Sequence, residues 1–285
     1  MTPAGLALVL TAAFFHAAWN LFAKRADGGL SFVWLCAAMA SGLWAPVALA
    51  ALFVAPPAIG AEAMLFLAGS TVLHTGYYLS LQMGYRWGDL SLVYPLARGS
   101  GALLAIGGAV LLFSERPTLL SLTGALLITG GTVALAGIGQ GRRSDPGRGV
   151  GLALTTGGLI CAYTLWDAYQ VTELGIPVLA LVWASDLGRC LLLTPAARRR
   201  RSEVGEIWRA YRREVVGVAL LSPAAYVLVL LALQLAPISS VAPAREVSIL
   251  IGVVMGHRLL GEANVGRRLA AAGAVVGGMI FVAAG

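Results

Sequence analysis

The chain has 285 residues, of which 59% are apolar and only 12% charged, and its mean hydropathy is +0.83. Soluble domains average roughly 45–50% apolar and about 25% charged residues, so this composition excludes a soluble globular domain. The net charge of +7 comes almost entirely from arginine and is concentrated between apolar runs, where it reads as membrane topology rather than as a nucleic-acid surface.

An apolar helix of about 20 residues crosses a hydrocarbon core of roughly 30 Å. Cutting the chain at charged and Gly/Pro clusters predicts about ten such spans, at 4–23, 30–54, 61–83, 90–113, 118–138, 150–171, 176–195, 215–236, 239–260 and 265–284. The first, Gly5–Ala23, lacks the basic start and small-residue cleavage site of a signal peptide and is expected to remain a span. It carries His16 and Asn20 one helical turn apart, with Trp19 beside them, a face suited to hydrogen bonding in a polar cavity. A histidine there is a candidate proton relay; the alternative is a helix-packing hydrogen bond. The third span places His74, Tyr78 and Gln82 on one face, and the fourth places Tyr94, Pro95 and Arg98 near its start.

Further along, the sixth span holds Tyr163, Trp166, Asp167 and Gln170 at helical spacing, a face too polar for lipid. Asp167 is the candidate carboxylate for proton coupling or cation contact. On the seventh, Asp186 and Arg189 stand three apart and are expected to satisfy each other as a structural pair. The eighth carries Ser222 and Tyr226, and the ninth carries Pro243 followed by Arg245 and Glu246. An ionisable group at mid-span costs about 2.5–3.5 kcal/mol on insertion scales, so each is expected to face a partner or a wet cavity. An arginine there binds carboxylate or phosphate as a two-pronged fork, or else locks two helices by pairing with an acid. Glu246 is expected to act as the local counterion of Arg245, which makes Arg98 the stronger candidate for solute contact. Cys36, Cys161 and Cys190 lack metal-ligand spacing and read as small packing residues.

The halves repeat. Tyr78 corresponds in position to Tyr226, Pro95 to Pro243, Arg98 to Arg245 after a one-residue slip, Glu115 to Glu262, and the Gly130-Gly131 pair to Gly277-Gly278. An odd number of spans per copy inverts the second copy in the bilayer. The expected fold class is therefore all-α polytopic membrane protein, with two inverted five-helix repeats at 1–138 and 150–285 joined by a linker at 139–149. Such repeats place a solute site near the midplane, here among spans 1, 3, 4, 6, 8 and 9. The charged connection Ala196–Glu214 is expected to hold a short interfacial helix with Trp208 and Tyr211. Arginines cluster in the odd-numbered loops, which the positive-inside rule puts in the cytoplasm, with both termini outside.

The duplicated unit, the stretch HAAWNLFAKR closing the first span, and the SLVYPLARG…LFSERPTLLSLTGALLITGG region together resemble the ten-helix EamA-like branch of the drug/metabolite transporter superfamily. The most specific feature is a glutamate, at both Glu115 and Glu262, followed by a glycine-punctuated apolar helix. The resemblance covers nearly the whole chain. It implies a multi-pass carrier of the cell inner membrane, often an exporter, with no covalent intermediate and no ATP motif. Members of that branch usually have cytoplasmic termini and a basic loop after the second helix; the loop Ala55–Glu62 here has no basic residue. The expected activity is alternating-access transport of a small polar, amphipathic or zwitterionic metabolite, with a proton as candidate coupling ion. The expected solute-binding residues are His16, Trp19, Asn20, Tyr78, Gln82, Tyr94, Arg98, Tyr163, Trp166, Asp167, Tyr226, Arg245 and Glu246. No cofactor, metal or nucleic acid is expected, and the chain is expected to act in the lipid bilayer as a monomer or weak homodimer. An intramembrane enzyme and a non-transporting channel or scaffold are the competing readings.

Overall fold

The computed structural model describes residues 2–26, 29–54, 60–116, 118–138, 146–260 and 265–284. Among them run eleven helices and no strand: α1 Pro3–Ala26, α2 Gly29–Val54, α3 Ala61–Trp87, α4 Leu90–Leu112, α5 Leu119–Ile138, α6 Pro146–Thr172, α7 Val178–Arg199, α8 Arg201–Leu233, α9 Ile238–Ala244, α10 Val247–Leu260 and α11 Val265–Ala284. Seven segments among the described residues are long and apolar enough to cross a membrane: α1, α2, α4, α6, α7, α8 and the α9–α10 stretch. The 27 residues of α3 are long enough, reaching about 40 Å at 1.5 Å per residue, but polar side chains from Ser70 to Gln82 lower its hydropathy.

The polarity of the molecule is turned outside in. Phe53, Leu111, Leu119 and Leu126 are largely exposed, while Arg98, Asp167, Arg189, Arg245 and Glu246 are each at most 3% exposed. Water would reverse that arrangement and lipid favours it, because an apolar exterior is dissolved by hydrocarbon and an ionisable group is not. Buried aromatic and aliphatic residues of α1, α2, α3, α4, α6 and α8 form one large core cluster.

Helix pairing follows a pattern. α1 packs on α8 and α3 on α6; α2 lies against α7, and α5 against α11. Glycine sets the closest of these approaches. A Cβ on Gly131 would stand 2.7 Å from the Ala271 carbonyl oxygen of α11, and one on Gly278 would stand 2.5 Å from the Gly124 carbonyl oxygen of α5. Their neighbours Gly130 and Gly277 face open space. Lys24 Nζ donates to the carbonyls of Tyr85 (2.6 Å) and Gly88 (2.7 Å), tying the end of α1 to the orphan carbonyls that close α3.

Three sequence expectations need correction. The connection Ala196–Glu214 is almost wholly helical: α7 continues to Arg199, only Arg200 interrupts, and α8 begins at Arg201 rather than near residue 215. The short helix expected there is the first part of α8, joined to the span through a kink at Tyr211 (φ −128°, ψ 28°). On the other side of the chain, α6 starts at Pro146, inside the stretch read as linker, because a proline opens a helix at no cost in hydrogen bonds. Finally, the ninth span is not one helix. It breaks between α9 and α10 at Arg245-Glu246, whereas α4 passes Pro95 unbroken. Glu262 lies outside the described residues.

Candidate functional site

The break after α9 sets the first half of the site. Pro243 has no N–H to give to the helix, and the chain turns through three-residue closures, Ser248 N to Arg245 O (3.1 Å) and Ile249 N to Glu246 O (2.8 Å). Arg98, on the intact α4, reaches this turn: its Nη2 donates to Glu246 Oε1 at 2.9 Å and lies 3.4 Å from the Arg245 carbonyl oxygen. Glu246 is thus the partner of Arg98, not of its neighbour Arg245 as the adjacent positions suggested. Arg245 is 1% exposed, and its Nε and Nη2 have no hydrogen-bond partner. Tyr94 packs beside this group, its ring centroid 6.0 Å from the Arg98 guanidinium carbon and its hydroxyl without a partner.

The second half is built on α6. Asp167, fully buried, accepts hydrogen bonds from Ser70 and Gln170 (3.0 Å) on Oδ1 and from Tyr226 (2.6 Å) on Oδ2, where His74 Nε2 also stands at 2.8 Å. An ionised carboxylate offers about four lone-pair sites, so protein donors already fill its capacity. A carboxylate only accepts, so the His74 nitrogen facing it carries a proton. The His74 ring stacks on Tyr163 at 4.3 Å, and Tyr163 meets Tyr226 edge-on at 5.6 Å.

Between these aromatic rings lies a cavity of about 20 Å³, lined from α1 by His16 and Trp19, from α3 by His74, Tyr77 and Tyr78, from α6 by Tyr163, from α7 by Val182, Ser185, Asp186 and Arg189, and from α8 by Ser222, Pro223 and Tyr226. That is room for about one water molecule. α7 therefore contributes to the lining, while α4 and the α9–α10 break, both expected in it, stand behind.

Trp19 Nε1 donates to His16 Nδ1 at 3.0 Å. Indole nitrogen is a donor only, so Nδ1 holds a lone pair and the proton of the imidazole sits on Nε2, a buried atom without a partner. Held in this way, His16 presents Nε2–H as a hydrogen-bond donor. Asn20 is used up internally: Nδ2 donates to His16 O (2.7 Å) and Oδ1 accepts from Tyr85. Gln82 donates to the Ala23 carbonyl (3.3 Å) and lies outside the cavity lining.

Trp166 is also outside. Its Nε1 donates to Phe66 O (2.8 Å), its ring stacks on Phe66 at 4.5 Å, and it closes over Gly69, facing an apolar groove between α3, α4 and α6. Of the residues expected at the site, His16, Trp19, Tyr78, Tyr163 and Tyr226 line the cavity, and Asp167 holds two of its walls. Tyr94, Arg98, Arg245 and Glu246 form the neighbouring charged group; Asn20, Gln82 and Trp166 serve packing. Sequence reasoning did not single out Ser70, Tyr77 or Ser185. Ser70 and Tyr77 belong to a helical stripe with His74, four and three residues away, that the sequence already displayed. Among the described residues, no three His, Cys, Asp or Glu side chains gather as a metal-binding group.

No protein-family model matches this chain, and no curated protein matches it. Among solved structures 28 chains match. One, described only as the crystal structure of a protein, is 14% identical and superposes with a TM-score of 0.72 over 99% of this chain and 96% of its own. The likeness is one of fold.

Proposed function

We propose that this chain is a secondary carrier, built as ten spans in two inverted halves, that moves a small polar or zwitterionic metabolite across the cell inner membrane by alternating access. The observation that carries the reading is Arg245: a buried guanidinium, unpartnered at Nε and Nη2, at a helix break inside a membrane-length segment. A fixed cation held there at a cost of kilocalories calls for an anionic group that comes and goes. With histidines neutral, the Arg98–Glu246–Arg245 group has one positive charge in surplus, and Asp167, Asp186 and Arg189 have one negative charge in surplus. A solute with an anionic and a cationic end complements both.

The inverted repeat draws support from the packing. Exchanging the halves turns the α1–α8 contact into the α6–α3 contact and returns α2–α7 and α5–α11 to themselves. Gly131 against Ala271 and Val275 becomes Gly278 against Gly124 and Ile128. His16-x-x-Trp19-Asn20 aligns with Tyr163-x-x-Trp166-Asp167 at the same offset. Membership of the EamA-like branch, with export as the direction and a proton exchanged through His74–Asp167, fits these features.

The test is counterflow in proteoliposomes with labelled solutes screened as anions, cations and zwitterions. Saturable exchange of a zwitterion, lost in Arg245→Gln, is the expected result; turnover of a solute without exchange would replace the carrier with an enzyme.

A further inference from the structure

Asp186 and Arg189 read as a structural pair in the sequence, and they do pair. The pairing is incomplete. Only Asp186 Oδ1 meets Arg189; Oδ2 is buried without a partner, as is the hydroxyl of adjacent Ser185. Both residues are 5% exposed, and both line the central cavity. Arg189 lies over the Tyr78 ring, its guanidinium carbon 3.9 Å from the centroid, with Nε unpartnered. A five-donor fork with one acid oxygen and one ring face is held by less than it can bind.

Among the described residues that line the cavity, His16 Nε2 is a further buried polar atom without a partner, fixed as a donor by Trp19. Asp186 Oδ2 and Ser185 Oγ thus sit on the α7 wall together with the unpartnered Arg189 Nε, and His16 Nε2 sits on the α1 wall. The aromatic walls offer ring faces, which attract a cation. Asp167 behind Tyr226 and His74 adds negative charge, so Asp167 and Asp186 outnumber Arg189.

We propose that Ser185 and Asp186 form a subsite for a primary ammonium group, and that Arg189 is a tethered cation that competes for it. Asp186 Oδ2 and Ser185 Oγ accept the N–H bonds, and a Tyr face takes the remaining charge. Size selects within the class: a cavity of about 20 Å³ holds a group near the size of one water, which suits –NH3+ and excludes a tetraalkylammonium. Arg189 already supplies one positive charge to Asp186 and so weakens a second. The inference rests on the carrier reading only in assigning the ammonium to the carried solute; the subsite itself is a matter of binding.

The experiment is thermal denaturation of the full chain in detergent, with ethylammonium chloride as probe and sodium chloride and tetramethylammonium chloride as controls. Arg189→Gln leaves Asp186 without its counterion and is expected to melt earlier than wild type. Ethylammonium is expected to restore it with an apparent affinity about ten-fold above wild type, the gain expected when a competitor that leaves the site open about a tenth of the time is removed. The double variant Arg189→Gln/Asp186→Asn, free of the uncompensated charge, is expected to fold and to show no ethylammonium response. Recovery of Arg189→Gln only when it is purified in ethylammonium supports the subsite equally. Equal rescue by sodium or tetramethylammonium overturns it, and so does failure to recover the variant with or without ethylammonium, which would make the pair a structural lock. An intact ethylammonium response in a protein that shows no counterflow would remove the carrier reading and leave the subsite standing.

Discussion

Replacing Arg245 by glutamine separates a binding charge from a structural one. Arg245 is 1% exposed, and neither its Nε nor its Nη2 has a partner, so the folded protein carries the cost of a charge withdrawn from water, about 2.5–3.5 kcal/mol on insertion scales. Glutamine removes that charge and keeps most of the volume. Without solute, Arg245→Gln should therefore melt at or above the wild-type temperature, the opposite of the usual outcome for a buried arginine. With solute, the variant loses charge-assisted hydrogen bonds worth about 1.5–3 kcal/mol, which is roughly 10- to 150-fold in affinity at 1.4 kcal/mol per decade. Thermal shift across a concentration series of the transported solute measures both quantities on one sample. An early-melting apo variant would show that Arg245 holds the fold, and an unchanged solute response would show that the anionic group binds elsewhere; either result refutes the reasoning.

Arg98 should behave in the contrary way, because its partner is buried with it: Arg98→Gln strands Glu246 and should cost about 3–5 kcal/mol, most of which returns in Arg98→Gln/Glu246→Gln, as read by melting in detergent. This reverses the order of importance that the sequence suggested for the two arginines. Asp167→Asn replaces an acceptor-only group facing four donors with one that is half donor, leaving at least one buried donor unmet at about 1–3 kcal/mol; its melting temperature should fall whether or not solute is present. Gly278→Val, whose Cβ would meet a backbone oxygen at 2.5 Å, should destabilise strongly, while Gly277→Val, with nothing within 4 Å, should be nearly silent in the same assay. A single cysteine at Ser202, exposed at the start of α8, should resist an impermeant thiol reagent in intact cells and react in inverted vesicles, as the arginine placement requires; ready labelling in intact cells would put the termini in the cytoplasm.

Hydropathy carried the helical class and most helix positions, because a lipid-facing segment must be apolar along its whole length. It failed where backbone and side chains compete. Hydropathy does not tell α4 from the α9–α10 stretch, since each has a proline followed by arginine inside an apolar run; what differs is the chain partner of the freed backbone, which no local pattern encodes. The boundary of α8 was misread for a related reason: Arg198 to Arg213 look like a loop by charge, yet arginine is a good helix former and a helix can project from the bilayer. At the site, residue types were legible and pairings were not. Asp186 and Arg189 stand three apart in the sequence, but only the structure reveals that one oxygen of Asp186 is left over. Trp166 and Asp167 are adjacent, and helical rotation sends one to the outer groove and the other to the core.

The glutamate at Glu115 shows what the start of α9 requires. The first turn of a helix leaves N–H groups unsatisfied, each of which an apolar surrounding penalises. Glu115 supplies them: Oε1 accepts from Ile238 N and Oε2 from Ser239 N, both at 3.0 Å, so one carboxylate closes the start of α9. The turn that aims it includes Ser114 at φ 54°, a left-handed conformation costing a non-glycine residue about 1–2 kcal/mol. Glu115 follows α4 directly, and α4 carries Arg98, which holds Glu246 and the Arg245 carbonyl at the far end of the same short helix. The seven residues of α9 are therefore gripped at one end by Arg98 of α4 and at the other by Glu115, just past the end of α4. On the carrier reading, α4 and α9 move as a unit, and the freedom needed to expose Arg245 to alternate sides must come from α10 and from the helices that wall the cavity.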